Sequence, residues 1–201
     1  MHIAIILYDG YDQLDAIGPY EVFNHAASIG ADLEVGLYTL EPQEIVRSSH
    51  DLRVQPDGIL DELDTTPAFV VIPGGGWSSR AEVGTWGEAE RGDIPAALDQ
   101  FYDDGAGIAT VCTGGMLAAR AGITDGRPAI THHNAVDDLR ASGAEVIEAR
   151  VVDDGDLVTA GGVTAGIDLA LYLLEREFGA DIAEEVATIM EYERTGEVHV
   201  G

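Results

Sequence analysis

Gly107-Ile108-Ala109-Thr110-Val111-Cys112-Thr113-Gly114-Gly115-Met116-Leu117 is the stretch on which the fold turns. The apolar run Ile108 to Val111 has the length and composition of a buried strand. It ends at Cys112, the only cysteine of the chain, and Thr113-Gly114-Gly115 leads into Met116-Leu117-Ala118-Ala119, where a helix resumes. Strand, tight small-residue turn and helix together make the shape of a nucleophile elbow. Such a turn holds one side chain on a strained backbone at the carboxyl end of a sheet, where a ligand can reach it. Glycine suits the turn because backbone there passes close to backbone and to substrate. Cys112 is therefore expected to be a reactive thiolate, favoured by the dipole and N–H groups of a helix amino terminus. A lone buried cysteine is more often inert packing, so the assignment leans on the turn, the helix end and a nearby acid.

Outward from the elbow, apolar runs and helical stripes alternate. Residues 2–8 form a continuous apolar run, as expected of a parallel strand covered on both faces, and Asp9-Gly10 breaks it. Pro19 is expected to open a helix to about Ser28, with Gly30 as its stop, which puts Asp15 just outside that helix. Asp15 then lies at the carboxyl end of the first strand, on the sheet edge expected for Cys112. Glu21, the competing acid, falls inside the helix on a solvated face. Leu33–Leu40 reads as the second strand, with 45–47 and 52–55 as short antiparallel pieces.

Ala68–Ile72 is another apolar strand, and it stops at Pro73-Gly74-Gly75-Gly76. These glycines could be a plain turn, but their place at a strand's carboxyl end favours Gly75 and Gly76 N–H groups as an oxyanion hole. Residues 77–92 are expected to be an irregular lid. A helix follows from Asp93-Ile94-Pro95 to about Asp104, with Asp93 at or near its cap. A short strand, 129–131, runs into His132-His133, and a helix covers 135–141. Segments 145–152 and 157–160 flank the hairpin signal Asp153-Asp154-Gly155-Asp156. Helices are expected from about Thr164 to Phe178 and from Ile182 to Met190, with 192–201 as a tail. The alternation predicts one domain, 1–201, with a doubly wound, mainly parallel sheet sandwiched by helices.

The composition sets further bounds. The 201 residues are 46% hydrophobic, enough for a core, but 37 acidic against 10 basic residues give a net charge of −27. All ten basic residues are Arg, and the acids are spread along the whole chain. Such a surface repels itself in dilute buffer and stays soluble where salt screens it. A salty cytoplasm, as in a halophilic archaeon, is the expected setting, and nucleic acid is an improbable partner for so negative a surface. One cysteine excludes an internal disulfide and a multi-cysteine zinc site, and the six histidines lack metal-ligand spacing. No basic leader region precedes the first strand and no run reaches the ~20 apolar residues of a membrane span, so a soluble cytoplasmic protein is expected. No G-x-G-x-x-G opens a helix after the first strand, and no cofactor is called for.

A cysteine hydrolase ordinarily needs a histidine base. His132 could approach Cys112, with His133 then pointing elsewhere. Solvation or capping is the plainer role for a loop histidine.

Five segments together resemble the ThiJ/PfpI superfamily: Leu14-Asp15-Ala16-Ile17-Gly18-Pro19-Tyr20-Glu21-Val22-Phe23, Val71–Gly76, Val111-Cys112-Thr113-Gly114, Thr131-His132 and Thr159–Asp168. They span nearly the whole chain in the family's order. Within it the chain is most similar to the isonitrile hydratase branch and to the amidotransferase-like domains of AraC-type regulators. The resemblance implies a flavodoxin-like sandwich, a homodimer, a small-molecule substrate and no cofactor. It also implies a catalytic set of Cys112, Asp15 and Thr113, with Gly75, Gly76 and His132 binding substrate or negative charge. Many members carry a glutamate beside the cysteine; Asp15 stands in that neighbourhood, as in isonitrile hydratases. Thr113 replaces the histidine that often follows the cysteine in protease- and glyoxalase-like members, which argues against both chemistries. The implied reaction adds water to an isonitrile to give an N-substituted formamide. A cysteine redox sensor, or a ligand-binding regulator without its DNA-binding part, are the alternatives; the chain ends before a helix-turn-helix domain could follow.

Overall fold

The apolar runs become the strands of one central sheet. In a computed structural model describing residues 1–201, β1 (His2–Ile6) and β2 (Glu34–Thr39) pair in parallel. A short antiparallel ribbon follows, β3 (Val46–Arg47) against β4 (Arg53–Val54), then β5 (Gly58–Ile59) beside β2. β6 (Phe69–Ile72) returns to the other side of β1, and β7 (Gly107–Thr110) lies beside β6. β8 (Pro128–Ala129) and β9 (Glu145–Val146) form a small separate pair. β10 (Val151–Asp153) and β11 (Leu157–Ala160) make the expected hairpin, and β12 (Val198–Val200) adds in parallel to β10.

The sheet order is β12-β10-β11-β7-β6-β1-β2-β5, and only the β10–β11 pair is antiparallel. Its inner strands, β2-β1-β6-β7-β11, follow the doubly wound order in which the direction of winding reverses between β1 and β6. Ligands in such sheets bind outside the carboxyl ends of the strands at that reversal. The 2–8 and 68–72 runs are fully apolar because both faces of these strands are covered, and β6 and β7 are buried throughout.

Helices α1 (Gln13–Ser28), α6 (Ala165–Phe178) and α7 (Ala180–Ile189) pack together, as do α2 (Thr85–Arg91), α3 (Asp93–Asp103) and α4 (Gly115–Arg120). α5 (Val136–Ala141) leans on α4 and β9. No helix is long and apolar enough to cross a membrane.

Three expectations are corrected. Pro19 does not open α1; it lies inside the helix, whose N-cap is Asp12, with its carboxylate accepting from Leu14 N at 3.1 Å. Asp15 is consequently in the first helical turn. The proline is tolerated where α1 meets α6 closely: a Cβ on Gly166 would come within 3.3 Å of Pro19 Cδ, and one on Gly18 within 3.2 Å of Ile167. Residues 85–91, expected in a lid, form α2, stopped by Gly92 in the left-handed conformation. The same Gly92 caps α3 and Asp93 is its first residue. The expected tail contains β12, tied down where Tyr192 Oη and Thr195 N donate to the buried Asp168 carboxylate, which Arg150 Nε also meets at 2.8 Å.

Candidate active site

Cys112 sits where β7 gives way to a single 3₁₀ turn, Cys112–Gly114, that leads into α4. Its φ of 56° is a left-handed conformation that a side-chain-bearing residue adopts only when its surroundings impose it. They do so through both of its backbone polar atoms. Cys112 N donates to Gly161 O at 2.8 Å, and Thr131 Oγ1 donates to Cys112 O at 2.7 Å. Gly114 lets the turn pass under β6, since a Cβ there would lie 2.2 Å from Ile72 O. The elbow is formed as its residue pattern predicts.

Asp15, from α1, reaches the same spot and is completely buried. As the third residue of its helix it would ordinarily fold back on the cap. Instead Oδ2 accepts the Gly74 N–H at 2.9 Å, while Oδ1 is buried without a hydrogen-bond partner. Burial, before anything else, pushes this carboxyl up to about 7; the Gly74 N–H pulls against that rise, and the Asp12 carboxylate adds to it. Cys112 is the polar neighbour the carboxyl senses, although no hydrogen bond of ordinary geometry closes between them.

Burial also pushes the Cys112 thiol up to about 12, helped by the Asp15 charge and opposed by the N–H groups of Val163 and Thr113. Burial and the Asp15 charge thus oppose the resting thiolate expected from the helix end. One 3₁₀ turn and the six residues of α4 make a weak dipole, and it loses to burial and a neighbouring acid. The two groups titrate as a pair, so the proton between them belongs to the pair and not to either residue.

The glycine loop after β6 closes the site from above. Gly74 lies so near the elbow that a Cβ would meet Thr113 N at 2.4 Å. Of the two expected oxyanion donors, Gly75 N–H is already engaged, donating to Thr113 Oγ1 at 2.9 Å, so its assignment as a free donor is corrected. Gly76 N–H makes no hydrogen bond within the chain and Gly76 lines the cleft. That cleft, about 280 Å³, is bounded by Asp12, Gly75, Gly76, Trp77, Ser78, Ser79, Cys112, Thr113, His132 and Val163.

His132 is brought to the cleft but not to the thiol. No hydrogen bond joins it to Cys112; its Nδ1 accepts from Asn134 N at 3.2 Å, which leaves the proton of the neutral ring on Nε2. Burial and the His133 ring, stacked at 4.1 Å, hold its pKa below the usual histidine value. Trp77 lines the cleft, anchored through Nε1 to Asp138 at 2.7 Å, and Trp86 packs edge-on behind it. Tyr20 does not line it.

Sequence reasoning passed over Asp12 and Val163. Asp12 was visible as a capping-type residue two positions before Leu14. Val163, at φ 44°, is a β-branched residue in a strained conformation that nothing in its neighbours Gly162 and Thr164 announces.

Comparisons with known proteins place the chain in a family. Residues 1–176 match the DJ-1/PfpI family model. The chain is 35% identical over 197 residues to an isonitrile hydratase of Pseudomonas putida, covering 96% of this chain and 78% of that protein. It is 26% identical over 188 residues to the Parkinson disease protein 7 homolog of Danio rerio, covering 90% and 92%. A ThiJ/PfpI family protein of Pseudomonas syringae superposes with a TM-score of 0.85 at 26% identity, over 96% of this chain and 76% of that one. By family model, sequence and fold alike, the chain belongs to the DJ-1/PfpI family.

Proposed function

We propose that this chain is an isonitrile hydratase-like hydro-lyase that adds water to R–N≡C to give an N-substituted formamide, with no metal or cofactor. The observation that carries the proposal is the fully buried Asp15 beside Cys112, whose Oδ1 has no hydrogen-bond partner and whose carboxyl is pushed up to about 7. Such a pair can take a proton from a thiol and return it within one turnover.

In the proposed sequence, Asp15 accepts the Cys112 proton as sulfur attacks the isonitrile carbon. Asp15 then delivers that proton to the same carbon, leaving the thioimidate R–N=CH–S. The carboxylate next removes a proton from water as its oxygen adds to that carbon, and passes this proton to nitrogen. The tetrahedral adduct collapses to R–NH–CHO and expels sulfur, which recovers its proton. Gly76 N–H and Thr113 N–H offer hydrogen bonds to charge developing at the reacting centre, and His132 bounds the bound substrate. A cleft of about 280 Å³ with Asp12 on its wall fits a compact, uncharged R group.

We further propose that the enzyme works in the cytoplasm as a homodimer, which sedimentation of the purified protein tests. The test of the chemistry is turnover of an isonitrile panel in molar KCl by wild type and Cys112→Ala. Turnover by the wild type alone, with both proteins equally folded, is expected. Normal hydration by the variant would eliminate the covalent scheme.

A further inference from the structure

Beneath the elbow lies a line of hydroxyls that the proposed mechanism does not use. Tyr8, just past β1, is buried and reaches Pro73 O at 2.6 Å and Thr85 Oγ1 at 2.9 Å. Thr85, the first residue of α2 and fully buried, stands 3.3 Å from Thr113 Oγ1, which accepts the Gly75 N–H at 2.9 Å.

The direction of every proton in this line follows from its end. Pro73 O can only accept, so the single Tyr8 proton goes there. Tyr8 Oη then has only lone pairs for Thr85, so Thr85 donates to Tyr8. With its proton spent, Thr85 can only accept from Thr113. The Thr113 hydroxyl therefore points its proton inward, away from the cleft, and turns lone pairs toward the Gly75 N–H.

We propose that Tyr8 and Thr85 are positioning residues: they fix the Thr113 hydroxyl as an acceptor and through it clamp the 74–76 loop, so that Gly74 N–H stays on the Asp15 carboxyl. The carbonyls of the loop are held as well. Thr85 N donates to Gly75 O at 2.6 Å, and Asp12 N to Gly74 O at 2.7 Å. Thr113 then serves the reaction through its backbone N–H, and its hydroxyl is structural. This deepens the hydratase reading, since it assigns how Thr113 acts in the same site, but it does not need isonitrile as the substrate.

The titratable groups around Asp15 are Asp12 on its own helix, Tyr8 after β1 and Cys112 after β7, with Glu88 of α2 acting on Tyr8. None of the four residues is itself replaced when Thr85 is altered, although Tyr8 loses the Thr85 hydrogen bond and its hydroxyl is held still further above its ordinary value. Loss of the Gly74 N–H would remove a hydrogen bond that favours the Asp15 carboxylate, so the carboxyl would ionise at higher pH.

The test compares wild type, Thr85→Val, Thr85→Ser and Tyr8→Phe in molar KCl, with folding checked by circular dichroism. The reaction followed is alkylation of Cys112 by iodoacetamide from pH 5 to 9, read by mass spectrometry. Alkylation requires the thiol proton to leave, and the Asp15 carboxylate is the base that takes it, so wild-type alkylation is expected to rise as Asp15 ionises, through a midpoint near about 7. Thr85→Val should move that midpoint up by about half a unit or more, Tyr8→Phe should move it less in the same direction, and Thr85→Ser should restore it. Superimposable Val and wild-type profiles would overturn the proposal. So would a Ser variant displaced as far as Val, which would make packing the cause. Absence of isonitrile turnover in the wild type would remove the hydratase reading while this alkylation result stood on its own.

Discussion

Asp15 holds its carboxyl where charge is disfavoured, and that has a measurable consequence for stability. Its pKa is near 3.8 in an unfolded chain and about 7 when folded. Below both values each state carries the proton and folding gains or loses nothing from it. Between about pH 4 and 7 the folded state keeps a proton that the unfolded state has lost, so stability falls as pH rises through this window; above about 7 it levels off. The linkage amounts to on the order of 3–4 kcal/mol. Asp15→Asn keeps the acceptor for Gly74 N–H and removes the charge. Its melting temperature should therefore exceed that of wild type by a margin that widens from pH 4 to 7 and reaches roughly 6–16 °C at pH 8. A margin independent of pH would mean that Asp15 is not the group being held neutral. The same variant should lose turnover at every pH, which is the familiar opposition of stability and function in one side chain.

At the scale of elements, the elbow depends on two neighbouring glycines in different ways. Gly114 has ordinary helical angles, so only space forbids a side chain there, and its Cβ would lie 2.2 Å from the backbone oxygen of Ile72. Gly114→Ala should cost about 2–3 kcal/mol and displace Cys112, whereas Gly115→Ala, with its nearest contact at 3.3 Å, should fold nearly normally. Equal melting temperatures for the two would show that the turn yields under β6. These contacts mark how far the residue pattern can be read. The strands that carry the site were legible because β1, β6 and β7 are short apolar runs ending in turn residues. Cys112 was legible because it follows the end of β7, and Asp15 because it opens the helix that follows β1, which puts both on one edge of the sheet. Pro19 misled because the α1–α6 approach outweighs its preference for a helix start. Gly87 hid α2, and it is there because a Cβ would meet Glu82 O at 1.8 Å. β12 has no sequence signal of its own, since it forms by addition to β10 and is held by Asp168. The upward push of burial on the Cys112 thiol and the capture of the Gly75 N–H by Thr113 arise from tertiary packing, which no local pattern records.

For the whole molecule the dominant fact is charge. Ten arginines face 37 acidic residues, and eight of those arginines are already paired with carboxylates. Arg53 and Arg80 make no ion pair, and Arg80 lies over the Trp86 ring instead. Among the acids only Asp15, Glu88, Asp153 and Asp168 are buried. The remainder stand in partial or full contact with water, where they repel one another over distances that salt controls. The screening length is about 10 Å at 0.1 M salt and about 3 Å at 1 M, so molar salt leaves only adjacent carboxylates in contact electrostatically. The unfolded chain carries the same charges spread over a larger volume, and screening therefore helps the folded state more. If this recovers ~3 kcal/mol, the melting midpoint rises by roughly 6–12 °C between 0.1 and 1 M KCl at this chain length. NaCl at equal ionic strength should do nearly the same, because screening does not distinguish the cations. Sucrose, which carries no charge, should not reproduce the steep part of the rise. A flat response to KCl would show that the acidic residues lie too far apart to matter and would end the expectation of a salt-adapted protein.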